Sequence, residues 1–257
     1  RAGDGAAPRR SAARSKKLER RPALSDRRWT FPRHRPCRPV PSYDRPGRTA
    51  CYRPPVIAGS VMLVPEIPIP AVVELARQAE SLGYRRVWVP DEGLATRDVM
   101  VTMAAIAAAT SSIEIGTGIV NPYSRHPALT AAAIASLDEL SGGRAFLGLG
   151  AGGSLTLGPL GVDRPRPLIH VREAVEVARA LFSGDVVNIN GETLTLKSAS
   201  IAYGRPDIEI WFAGRGPKML HQAGAIMDGV LLEFLHKPSL GNAIRTVRAG
   251  ADSTGNR

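Results

Sequence analysis

Cysteine is almost absent from this chain, and where it occurs a fold could hardly use it. Of 257 residues only Cys37 and Cys51 are cysteines, and both fall within the first 55. The other 202 residues therefore hold neither a disulfide framework nor a thiolate metal site. His126, His170, His221 and His236 show no metal-ligand spacing, so no metal is expected. No apolar run approaches the ~20 residues that cross a bilayer, so no membrane partner is expected. Neither a G-x-S-x-G nor a Walker phosphate-binding pattern appears, which leaves hydrolase and phosphotransfer readings without support.

Acidic residues are scarce at one end only. Residues 1–55 carry 16 of the 34 Lys and Arg but 4 of the 23 acids, whereas the rest has 18 basic and 19 acidic groups. The net charge of +11 thus belongs to the tail. The body is close to neutral and makes no electrostatic case for nucleic acid. The tail has nine prolines and no sustained apolar period. It cannot bury enough apolar surface to offset its chain entropy and is expected to be disordered. A basic nucleic-acid arm, an organellar transit peptide and coding sequence upstream of the true start are all open readings. The prolines, which break any amphipathic helix, argue against the transit peptide.

From Val56 onward the pattern changes. Apolar strands are predicted to begin near residues 57, 86, 112 and 145, with helices over 70–82, 97–110 and 127–140 between them. Spacings of about 26 to 33 residues fit strand–loop–helix–loop units. The strands are apolar at nearly every position, as in a parallel sheet covered on both faces. A helix over 172–181 follows, then an excursion at 184–202 in which Asn190-Gly191 signals a hairpin turn. The rhythm resumes with a strand at 208–213, a helix over 219–225, a sixth strand at 229–235 and a helix over 241–251. A doubly wound sheet and a (β/α)8 barrel both accommodate this α/β order.

Four blocks in a fixed order separate the two. They are "VELARQAESLGYRRVWVPDE", "GTGIVNPYSRHPALTAAAIASLDELSGGRAFLGLGAGG", "REAVEVARALFSGD" and "WFAGRGPKMLHQAGAIMDGVLL". Together they resemble the luciferase-like family of flavin and deazaflavin enzymes. The nearest branch is that of coenzyme F420-dependent oxidoreductases, which includes methylenetetrahydromethanopterin reductase. The resemblance covers about residues 57–250. It implies an α/β fold of the (β/α)8 TIM-barrel type, here ending after about six βα units, with the cofactor at the C-terminal ends of the strands.

The site residues follow from that resemblance. In this family the third strand bulges beneath a tricyclic ring, often with a non-proline cis bond. The matching step is Gly118–Ile119, followed by Asn121. Small residues there let a planar ring approach the backbone; an ordinary glycine turn is the alternative. Gly214, Arg215, Gly216 and Lys218 surround a helix start, where free N–H groups and two cations suit the coenzyme's phosphate and glutamate tail. Gly150, Ala151 and Gly152 either cradle the same tail or form a tight turn. Asp91 and Glu92 end the second strand and are the catalytic candidates. The family commonly has Asp-His there, so Glu92 departs from it. Strand one lacks the acid that some family reductases carry, and Met62 lies near that place instead.

Three functions are thereby in play. The first is a cytoplasmic oxidoreductase that moves a hydride between coenzyme F420 and a small-molecule substrate. The second is an FMN-dependent monooxygenase of the same superfamily. The third is an inactive remnant. With six strands, the two outer ones would be apolar edges, so the chain is expected to be a homo-oligomer.

Overall fold

The computed structural model describes residues 57–233 and 235–256. The expectation for residues 1–55 lies outside them. Six parallel strands form one sheet: β1 (Ile57–Met62), β2 (Tyr84–Val89), β3 (Glu114–Thr117), β4 (Ala145–Leu149), β7 (Ile210–Ala213) and β8 (Gly229–Leu231), in that spatial order. Helices α1 (Ile69–Ser81), α2 (Val99–Ala109), α3 (Pro127–Ser141), α5 (Pro167–Phe182), α6 (Pro217–Ile226) and α7 (Lys237–Thr254) alternate with them. A four-residue helix, α4 (Ser154–Leu157), follows β4, and an antiparallel hairpin, β5 (Val187–Asn190) and β6 (Thr195–Ala199), stands apart from the sheet. No described helix is long and apolar enough to cross a membrane.

The sheet is curled, and the side chains on one face show it. β2 and β7 are separated by β3 and β4. At ~4.8 Å between strands, a flat sheet would hold them roughly 14 Å apart. Yet the rings of Trp88 on β2 and Trp211 on β7 have centroids 5.6 Å apart. Arg86 Nη2 on β2 also reaches Glu209 Oε2, just before β7, at 2.6 Å. Only a concave face brings these residues together. The curl is that of a barrel wall, in agreement with the fold the sequence led us to expect.

The two faces have different chemistry. Outward-facing Val87, Val89, Ile115, Leu147 and Ile210 pack with Val72, Ala76, Ile106, Ile134 and Val177 of the helices in one buried core. The concave face instead holds Trp88, Phe146 and Trp211 in edge contacts. The Arg86 guanidinium lies over both the Phe146 and the Trp211 ring and is paired with Glu114 and Glu209. A cation in the barrel interior is thus neutralised and stacked at once.

Caps set where the helices begin. Asp98 accepts the Val101 N–H and starts α2 two residues later than the periodicity implies. Prolines at the first turn start α5, α6 and α7 earlier than predicted, at Pro167, Pro217 and Lys237-Pro238. The hairpin is present, but its turn differs from the one expected. Asn190 pairs with Thr195, leaving a four-residue loop at 191–194 rather than a two-residue Asn-Gly turn. Gly191 does not have a positive φ. It is small because a Cβ would lie 2.6 Å from the Glu173 carboxylate. That buried carboxylate accepts the N–H groups of Glu192, Thr193 and Leu194 and the Thr193 hydroxyl, so one side chain of α5 organises the loop.

Candidate active site

The C-terminal ends of the strands surround a cavity of about 660 Å³. Its floor is the continuation of β3. Gly118 N–H bonds back to Val89 across the strand, and the Gly118–Ile119 peptide bond is cis. Ile119 then accepts the Asp91 N–H at 3.3 Å, and Val120 pairs with β4 through the Gly148 and Gly150 backbone. A Cβ on Gly118 would sit 2.8 Å from the Trp88 Cβ, a backbone-anchored atom that cannot give way. Residue 118 must therefore be a glycine because the Trp88 side chain packs directly against it.

Of the residues singled out from the sequence, Asp91, Glu92, Gly118, Ile119, Asn121, Ala151, Gly152, Gly214, Arg215 and Gly216 all line this cavity. Gly150 and Lys218 are not among the lining residues. Gly150 stands behind the wall, where a Cβ would meet Ile119 Cδ1 at 2.1 Å and the Ala213 carbonyl at 2.7 Å. Its smallness serves packing between the β3 bulge and β7. Lys218 lies on the exposed side of the first turn of α6. Asn121 is buried, and its side-chain oxygen accepts the N–H groups of Tyr123 and Ser124 at 3.0 and 2.9 Å while its Nδ2 donates to Ser124 Oγ at 2.9 Å. It shapes the turn after the floor. His126 caps α3, its Nδ1 accepting the Ala128 N–H.

The rim carries two sets of charged groups. One is basic: Arg215 precedes α6, Arg164 precedes α5 and donates to the Gly152 carbonyl. Gly216 is the N-cap of α6 and makes no side-chain cap bond. A Cβ on Gly216 would meet nothing within 4 Å, so the helix N-terminus opens onto free space. The other set is acidic. Asp91 Oδ1 accepts the Gly93 N–H at 3.1 Å, Glu92 Oε2 accepts the Thr156 hydroxyl at 3.2 Å, and Glu233 follows β8. Burial pushes the Asp91 carboxyl above its ordinary range, aided by the charge of Asp98 and opposed by the Gly93 N–H and Arg125. Burial does the same to Glu233, with the charge of Glu92 adding to it.

Sequence reasoning missed Glu233, Arg164 and Thr156. Glu233 carried a usable signal, since it is an acid directly after an apolar strand, the criterion that selected Asp91. Arg164 and Thr156 lie in the irregular stretch after β4, where no periodicity marks which side chain faces inward.

A glycine-containing floor, a cationic helix start and acidic groups on the same rim suit a ligand with a planar head and an anionic end. The sequence profile of the luciferase-like monooxygenase family matches residues 50–257, and the chain belongs to that family. It is 37% identical over 195 residues to a 5,10-methylenetetrahydromethanopterin reductase of Methanolobus tindarius, an alignment covering 76% of this chain and 60% of the relative. Among solved structures it is similar to the coenzyme F420 dependent tetrahydromethanopterin reductase from Methanopyrus kandleri, with a TM-score of 0.73 and 29% identity over 78% of this chain and 62% of the other. An F420-dependent secondary alcohol dehydrogenase in complex with an F420-acetone adduct matches with a TM-score of 0.72 and 26% identity, covering 77% and 64%. The chain thus spans roughly 60% of the length of the relatives it matches.

Proposed function

We propose that residues 56–257 form an oxidoreductase domain that transfers a hydride between coenzyme F420 and a small organic substrate. The observation that carries this reading is the union, in one cavity, of the Gly118–Ile119 floor with the open N-terminus of α6 and its Arg215. When bound, the deazaflavin supplies or accepts the hydride. The chain's part is to hold and orient it. Gly118 and Ile119 would support the ring, with Val120 and Phe212 as apolar walls. The free N–H groups at the start of α6, with Arg215 and Arg164, would hold the phosphate and the acidic tail. Asp91 and Glu92 would face the substrate side. Similarity to a coenzyme F420 dependent reductase and to an F420-dependent secondary alcohol dehydrogenase supports the choice of coenzyme.

The test is an anaerobic titration of the full chain with coenzyme F420 and with FMN, followed by a screen of alcohols and carbonyls for F420 reduction or oxidation. Tighter binding of F420 and turnover of at least one pair are expected. Tighter binding of FMN, with oxygen consumption, would replace this reading with the monooxygenase one. Residues 1–55 lie outside the proposed domain, and their deletion should leave coenzyme affinity within threefold.

A further inference from the structure

Two glutamates line the one cavity although 141 positions separate them in the chain. Glu92 follows β2 and Glu233 follows β8, near opposite ends of the curled sheet. Their circumstances differ. Glu92 is oriented by the Thr156 hydroxyl of α4. Glu233 also lines the cavity and makes no side-chain hydrogen bond or ion pair among the described residues. Asp91, the third acid, is committed to the Gly93 N–H in the turn after β2.

We propose that Glu233 is the acid that gives the substrate its proton during hydride transfer, and that Glu92 is the charged partner that governs it. This deepens the oxidoreductase reading and rests on it. The chemistry requires such a group. In the reducing direction the substrate carbon of a C=O or C=N bond gains a hydrogen with its electron pair, and the coenzyme is oxidised by two electrons. The π pair moves to the oxygen or nitrogen. That atom takes the proton from the Glu233 carboxyl, leaving a carboxylate that solvent re-protonates. In the oxidising direction the same carboxylate removes the proton. The substrate class is therefore one whose reduced form carries an O–H or N–H, such as an alcohol.

An acid for this work must still be protonated near neutral pH. Burial and the charge of Glu92 both push Glu233 that way. The charged side chains lining the same cavity are Asp91, Glu92, Arg164 and Arg215. Of these, Glu92 adds its charge to the effect of burial in raising Glu233. Arg164 is turned to the Gly152 carbonyl, and Arg215 flanks the start of α6.

The first test needs no coenzyme. The full chain is labelled with ¹³C at glutamate carboxyls, the Glu233 resonance is assigned through Glu233→Gln, and its titration is followed. It should titrate above the ordinary glutamate range, and Glu92→Gln should move it at least half a pH unit toward acid. A Glu233 that titrates in the ordinary range, or ignores Glu92→Gln, overturns the proposal. The second test uses reduced coenzyme F420 and the fastest carbonyl from the screen described above. Glu233→Gln should lower kcat by about 100-fold, keep coenzyme Kd within threefold and abolish the alkaline fall of the pH profile, while Glu233→Asp restores part of both. A Glu233→Gln enzyme with kcat within threefold and an unchanged profile overturns this inference alone. A wild-type chain that binds no F420 overturns the oxidoreductase reading, and this role with it.

Discussion

The two ends of the strands treat charge in opposite ways. At the N-terminal end, charged groups are saturated. Arg144, just before β4, donates to the Ser141, Ile113, Ala107 and Thr110 carbonyls and to the Thr110 hydroxyl. Asp138 takes a two-pronged pair from Arg205 and the Ala145 N–H, and Glu80 accepts three N–H groups before β3. At the C-terminal end Arg215 and Glu233 have no ion pair among the described residues, and Asp91 is held above its ordinary range by burial. Neutralised charges pin elements together, whereas unneutralised ones are available to a ligand. The contrast puts the paired charges at one end and the cavity at the other, the end where barrel active sites lie.

The sharpest way to break the contrast is at Arg86, the cation stacked in the barrel interior. Arg86→Ala takes one partner from each of Glu114 and Glu209, which keep Arg85 and the Trp211 indole N–H respectively, and leaves the aromatic rings without their cover. It should cost about 2–4 kcal/mol, toward the low side for a buried pair because both glutamates keep some contact with water. Urea unfolding followed by tryptophan fluorescence measures it, and an unchanged midpoint would show that the cluster contributes nothing to stability. Arg215→Ala should do the reverse, leaving the melt within about 0.5 kcal/mol of the parent. Coenzyme affinity should fall by about 1.5–3 kcal/mol, and a tail-less deazaflavin should lose far less. Equal losses for both ligands would remove Arg215 from the anion site.

A smaller effect is expected at Glu173, which organises the hairpin loop. Its hydrogen bonds outweigh burial and hold it below the ordinary glutamate range. A carboxylate depressed in the folded state contributes stability that is complete above its unfolded value, about 4.3. That contribution is lost as pH falls through the lower folded value. Glu173→Gln should therefore destabilise by about 1 kcal/mol at pH 7, and the gap from the parent should close in acid. A gap that stays constant down to pH 2 would contradict the assignment. The smallest effect belongs to Lys218, which lies outside the cavity lining. Lys218→Ala should change coenzyme affinity less than threefold, and a loss comparable to Arg215→Ala would place its ammonium in the site after all.

Much of this architecture was legible because its causes are local. A run of apolar residues between turn signals makes a parallel strand wherever it lies in the chain, and a proline or aspartate sets a helix start within its own turn. The strand-tip position of Asp91, Glu92, Gly118, Arg215 and Gly216 followed from that rhythm together with the family resemblance. Where the cause was distant, the reading went astray or was silent. The glycine of Asn190-Gly191 resembles a turn former, but the Glu173 carboxylate, 18 positions away, sets its size. Gly150 resembles a phosphate cradle, but the side chain of Ile119 sets it. The role of Arg86 and the place of Glu92 and Glu233 in one cavity depend on how far the sheet curls. Local periodicity determined which segments became strands. The curl alone decided which side chains from separate strands came to share the barrel interior, because contact across a concave face is set by the closure of the whole sheet and by no residue within a single strand.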